Sequence, residues 1–238
     1  MSNSLLGTLR DRPLLGDGAM GTQLQEAGLE SGGCGEAWNL DEPDRVVAIQ
    51  RRYVEAGSDC LITNTFGGSR LMLERHTANP DVVGINKAAV EVARRAFGDR
   101  DGFVLGDIGP FGGLMEPYGE ITRAEVDRAF AEQAKALVEA GADAIIVETQ
   151  TVLDEAGAAI AAAKAAGVKS ATTTAPRCRA TARQYSMLNR ASSASSGCGN
   201  FRNPRWLSGM RAMTSSTSSG LNPCSDRRDS SPSMTDVV

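Results

Sequence analysis

The 238-residue chain is 41% hydrophobic and carries a formal net charge of −4, with five cysteines and one histidine. Such a chain can bury the core of one large domain or two small ones, and no stretch approaches the ~18 consecutive apolar residues of a membrane span. The odd, scattered cysteines argue against a disulfide framework, and Met1-Ser2-Asn3-Ser4 opens no secretory signal, so a reducing cytoplasm is the expected compartment.

In chain order, Leu14-Leu15-Gly16 reads as a short first strand ending in a glycine turn. Pro43 suits the first turn of a helix whose Val46, Ile49 and Tyr53 recur at helical spacing, with Gly57 as the stop. Cys60-Leu61-Ile62-Thr63 predicts a buried strand, followed by a helix over roughly Ile85 to Phe97. Phe103-Val104-Leu105 is the next strand. Thr122, with Glu125 three residues on, forms a capping box. The helix it opens shows Val126, Phe130 and Leu137 on one face and stops at Gly141. Ala144 to Val147 is a further strand, and Thr151 and Asp154 are expected to cap an Ala-rich helix that stops at Gly167. Val168 begins what should be a fifth strand.

This alternation implies a parallel sheet covered by helices. An internal echo supports it. Glu55-Ala56-Gly57-Ser58-Asp59 returns 84 residues later as Glu139-Ala140-Gly141-Ala142-Asp143. That distance is two units of about 42 residues, the size of βα units in a barrel of ~250 residues.

The four body strands end in Asp17, Asn64, Asp107 and Glu148, spaced 47, 43 and 41 residues apart. In a parallel barrel such ends share one face, where active sites lie. Converging carboxylates and amides could hold an ammonium group. An Asp after a strand is also a common turn former, and Asp107 is read that way first. Gly16-Asp17-Gly18-Ala19-Met20-Gly21 matches the dinucleotide fingerprint G-x-G-x-x-G. Its preceding strand is short, however, and an acid inside the motif sits badly beside a pyrophosphate. The glycines fit better a backbone that approaches a ligand closely and offers N–H groups to a carboxylate.

Gly16 to Thr22, Tyr53 to Asp59, Thr63-Asn64-Thr65-Phe66-Gly67, Gly106-Asp107-Ile108-Gly109-Pro110, Pro117-Tyr118-Gly119 and Val147-Glu148-Thr149 occur in order. Together, over about residues 10 to 170, they resemble the homocysteine S-methyltransferase family, and within it the homocysteine-binding domains of cobalamin-dependent methionine synthases. The resemblance implies a (β/α)8 TIM barrel, of which four βα units and the start of strand five are recognisable. It also implies methyl transfer to the homocysteine thiol, giving methionine. Asp17 and Glu148 would then bind the substrate's amino group. Backbone N–H groups around Gly18, Ala19 and Met20 would take its carboxylate, and Asn64 and Thr65 would line the same mouth. A corrinoid or folate module on another chain is a possible partner. Neither membrane nor nucleic acid is expected as one.

The family activates the thiol with zinc held by three cysteines, one in a Gly-x-Asn-Cys motif and two in a Gly-Gly-Cys-Cys pair. Neither motif occurs here. Gly197-Cys198-Gly199-Asn200 has similar letters in another order, and Cys178, Cys198 and Cys224 match no compact zinc spacing. The chain as written is therefore expected to lack activity, with no metal ligand assigned. The alternatives are a non-catalytic homocysteine-binding fragment and a dinucleotide-binding oxidoreductase. Cys34 reads as an incidental thiol in an exposed loop, Cys60 as a small core residue and His76 as surface.

Charge and composition change abruptly near Ser170. Residues 171–238 hold nine Arg against three Asp, a net +6, with 14 Ser, 7 Thr and neither Lys nor Glu. The preceding 170 residues carry −10. The expected division is therefore 1–170, half of a homocysteine-binding barrel domain, and 171–238, a Ser/Thr/Arg-rich tail that is disordered or translated out of frame. A basic tail that touches nucleic acid or acidic partners is the alternative.

Overall fold

The computed structural model describes residues 4–168 and 171–174, and its centre is a parallel four-stranded sheet. The chain enters through α1 (Leu5–Asp11), α2 (Gly21–Glu26), α3 (Trp38–Asp41) and α4 (Pro43–Ala56) before β1 (Cys60–Ile62). Then follow α5 (Arg70–Leu73), α6 (Val82–Phe97), β2 (Phe103–Ile108), α7 (Arg123–Glu139), β3 (Ala144–Glu148), α8 (Leu153–Ala165) and β4 (Ala171–Thr174). The strands lie in sequence order, β1-β2-β3-β4, all parallel. The tail beyond Thr174 lies outside the described residues.

Strand alternation divides the sheet into two unlike faces. Leu61, Val104, Ile145 and Val147 are fully buried and join one core with Val46 of α4, Val90 of α6, Phe130 and Leu137 of α7 and Ala159 of α8. Ile62, Leu105, Asp107, Ile146 and Glu148 belong to the opposite face. Leu105 stands opposite Ile62, and Asp107 opposite Ile146. The helices cover the first face; the second carries the polar strand ends.

The capping box of α7 is fully formed: Thr122 Oγ1 accepts the Glu125 N–H, and Glu125 accepts the Thr122 N–H at 2.8 Å. The echo segments prove structurally equivalent. Gly57 (φ 107°) and Gly141 (φ 93°) each end a helix in the left-handed region, which a side chain would disfavour. Two residues on, each Asp ties its own strand to its neighbour. Asp59 Oδ2 accepts the Leu15 N–H at 2.9 Å and pairs with Arg12 at 2.7 Å. Asp143 Oδ2 accepts the Val104 N–H at 2.7 Å and pairs with Arg94 at 2.7 Å.

The hydrogen bond from Arg12 holds the Asp59 carboxyl down to about 2. A carboxyl depressed on folding adds stability above its unfolded value of ~3.9 and loses it as pH falls through the folded value. Thermal unfolding between pH 4 and pH 2 should therefore show a steep acid limb. Asp59→Asn should flatten that limb, and an unchanged limb would rule out the ion pair as its source.

Several expectations need correction. The first strand at Leu14-Leu15 is reduced to an isolated parallel bridge between Gly16 and Cys60, because two residues supply too few ladder bonds and Leu15 stays exposed. The N-cap of α8 is Val152 and makes no side-chain cap bond. Thr151 therefore does not cap it, and Asp154 lies inside the first turn, where its charge suits the helix dipole. Cys34 is half-buried rather than exposed. It packs against Leu73, Val82 and Ile85, and its Sγ lies 3.7 Å from Glu36 Oε2. Cys60 is buried as expected, with burial pushing its thiol up to about 11, and His76 is exposed.

Candidate functional site

A cavity of about 510 Å³ opens at the carboxyl ends of the strands. Asp17, Gly18, Ala19, Met20, Asn64 and Glu148 all line it, so six of the seven residues expected to bind substrate share one pocket. Thr65, the seventh, is fully buried behind the wall, its hydroxyl donating to the Asp107 carbonyl at 2.8 Å.

Asp17 reaches the pocket because Gly16 bridges to Cys60 beside β1. Its Oδ2 accepts the Ile62 N–H at 3.0 Å, while Oδ1 is buried without a partner. Burial raises its carboxyl to about 7, against the backbone hydrogen bond from Ile62, and the nearby Glu148 charge adds to the rise. The following turn is pinned from below: Tyr53 Oη donates to the Ala19 carbonyl at 2.8 Å. A Cβ on Gly18 would lie 2.9 Å from the Tyr53 ring, so this glycine is required by close approach. Gly18→Ala should cost about 1–3 kcal/mol through overpacking, read as a lowered urea midpoint, and an unchanged midpoint would show that the ring yields freely. At the start of α2 no side chain caps the backbone, which leaves that end to the pocket.

Asn64 is 6% exposed, and its Nδ2 donates to the Gly35 carbonyl at 2.8 Å and to Asn39 Oδ1 at 3.2 Å. It thus ties the loop before α3 to the end of β1. Phe66 stands half-exposed on the rim. Glu148 closes β3, and Thr149 after it adopts φ 58°, an uncommon left-handed conformation for a β-branched residue. Strain of this kind gathers at functional sites, and here it turns the chain directly behind the carboxylate.

Asp107 is the residue that sequence reasoning left out of the site. It lies within β2 rather than in a turn after it, 3% exposed, and it lines the pocket. Its Oδ1 is buried without a partner. Burial holds its carboxyl well above the usual range, helped by the charges of Glu148, Glu36 and Asp17. Its position opposite Ile146, two residues before Glu148, was the available signal once the register of β2 and β3 was known. Three carboxyl groups thus face one cavity, and no described lining residue is basic. Such a pocket suits a small cationic ligand and repels an anionic one.

Among the described residues, no group of three or more His, Cys, Asp or Glu is arranged to hold a metal. Cys34 and Cys60 are each occupied in packing, and neither lines the cavity. The described residues therefore do not fit a three-cysteine zinc site. Cys178, Cys198 and Cys224 lie outside them.

A parallel α/β sheet with an acidic small-molecule pocket at its carboxyl edge is an enzyme-like architecture. The chain belongs to the homocysteine S-methyltransferase family, whose sequence profile matches residues 14–195. It is 39% identical over 158 residues to methionine synthase of Mycobacterium leprae (strain TN), and likewise to that of Mycobacterium tuberculosis, a region covering 61% of this chain. The chain spans 13% of the length of each relative. The fold is similar to that of the metallated homocysteine methyltransferase MmuM from Escherichia coli. The TM-score is 0.60 at 22% identity, covering 71% of this chain and 65% of MmuM. Both the family match and β4 run past residue 170, where the tail was expected to begin.

Proposed function

We propose that the pocket binds homocysteine, with Asp17 and Glu148 receiving its ammonium group and the N–H groups around Gly18, Ala19 and Met20 receiving its carboxylate. Asn64 and Thr65 serve this mouth from the wall: Asn64 holds the loop at Gly35, and Thr65 fixes the Asp107 carbonyl. The observation that carries the reading is the convergence of Asp17 and Glu148 with the tight 17–20 turn around one cavity. A cation site next to a turn of exposed backbone matches the two ends of an amino acid.

The reaction of the family, transfer of a methyl group to the homocysteine thiol to give methionine, is the activity assigned to this lineage. In the complete TIM barrel, zinc would lower the thiol's pKa and so supply a thiolate nucleophile. This chain contains neither cysteine motif, so the reading is of a substrate cradle without methyl transfer. A complete relative in the cytoplasm would take the methyl group from a corrinoid or folate module on another chain, or from a methylated sulfonium or betaine. The sequential strand order favours this reading over a dinucleotide site, which forms where strand order reverses. The tail is read as a shifted frame. Resequencing from codon 165 onward, past the present end of the reading frame, should reveal Gly-x-Asn-Cys and then Gly-Gly-Cys-Cys in another frame.

Calorimetric titration with L-homocysteine tests the cradle. Binding should survive a metal chelator, and no methionine should form with or without added zinc. Failure to bind, or binding abolished by the chelator, would overturn this reading.

A further inference from the structure

Three carboxyl groups around one ammonium are more negative charge than the ligand can neutralise, and the arrangement of Asp107 shows how the excess is removed. Asp107 and Glu148 belong to adjacent strands and to the same face of the sheet, since Asp107 stands opposite Ile146. Both line the same cavity, and one oxygen of the buried Asp107 carboxyl has no other partner. Two carboxylates cannot share a hydrogen bond unless one carries a proton, and burial makes the doubly ionised pair costly.

The backbone around Asp107 allows its side chain little movement. Its N–H donates to Thr63 Oγ1 at 2.9 Å. Its carbonyl accepts from Thr65 Oγ1 at 2.8 Å and from Gln133 Nε2 at 3.1 Å. The Thr63 and Thr65 hydroxyls are 2.6 Å apart, so Thr63 donates to Thr65 and every proton in this buried chain is assigned. Gln133 also donates to the Thr65 carbonyl at 2.8 Å, which anchors the chain to α7. The charged groups that bear on the Asp107 carboxyl are Glu148 on β3, Glu36 before α3, and Asp17, all acidic.

We propose that Asp107 is a positioning residue that holds Glu148 through a shared proton, and that the arriving ammonium group displaces this proton to water. The inference rests on the amino-acid reading of the pocket. Before binding, the shared proton keeps Glu148 aimed at the cavity and removes one negative charge. On binding, one O–H bond breaks, the proton leaves through the open mouth, and the ligand's positive charge takes its place. Affinity then rises with pH, by at most about tenfold per pH unit for each proton released.

The test counts protons. Homocysteine is titrated calorimetrically at pH 7 in two buffers of different ionisation heat, using the whole chain and D107N. The amide of D107N can still donate to Glu148 but cannot titrate. The parent should release protons on binding, and D107N should release fewer and show a flatter pH dependence of Kd. Equal release from both would overturn the proposal. Infrared spectra of the ligand-free chain give a second reading that needs no ligand. A protonated-carboxyl band should persist at neutral pH in D17N, and its absence would overturn the proposal. A band that disappears in D107N, in a chain that binds no homocysteine, would uphold the shared proton and reject the amino-acid reading.

Discussion

Glu148→Gln should weaken homocysteine binding about tenfold to a hundredfold while leaving the fold intact. The side chain closes β3 at the cavity and is only half-buried, so the isosteric amide removes a charge without opening a void. A hydrogen bond to a charged group is worth roughly 1.5–3 kcal/mol, and each 1.4 kcal/mol is a factor of ten in Kd. Calorimetry at pH 7 measures the change, and circular dichroism checks the fold. A variant that binds as tightly as the parent would remove Glu148 from the ammonium site.

Phe130→Ala should be the most damaging single change to stability, costing about 3–5 kcal/mol. Phe130 is fully buried on α7, in the core that packs the helices against Leu61, Val104 and Ile145. Domains of this size have only about 5–15 kcal/mol in total, so the variant should unfold at a much lower urea concentration or fail to accumulate folded. The same helix carries Gln133, which holds the carbonyls of Thr65 and Asp107. Loss of α7 packing should therefore also disturb the pocket, and homocysteine affinity should fall together with stability.

The long elements were legible because their signals are local and strong. The start of α4 at Pro43, the capping box of α7 and the left-handed glycines at 57 and 141 follow from backbone chemistry within a few residues. The repeated Glu-Ala-Gly-x-Asp segment was legible as a repeat. Its purpose, an Asp that braces the neighbouring strand through an N–H and an arginine, needed coordinates, because its partners Arg12 and Arg94 lie 47 and 49 residues away. The short helices α1, α2, α3 and α5 were missed, being too brief to show a periodicity. The candidate site was largely visible as polar residues after strands. Asp107 was misread because a Gly-Asp pair looks like a turn, whereas here Gly106 packs close to Ile145 and Leu137 and the strand continues to Ile108. Which face a strand residue belongs to depends on register, and register is set by neighbours distant in sequence.

The central claim is that the cavity recognises the ammonium end of an amino acid. The most direct test compares L-homocysteine with 4-mercaptobutanoic acid, which keeps the thiol and carboxylate but lacks the amine, in parallel titrations at pH 7. The account predicts that homocysteine binds and that the amine-free analogue binds at least about tenfold more weakly, with the difference shrinking in Glu148→Gln. Equal affinity for the two compounds, or no binding of homocysteine, would contradict it.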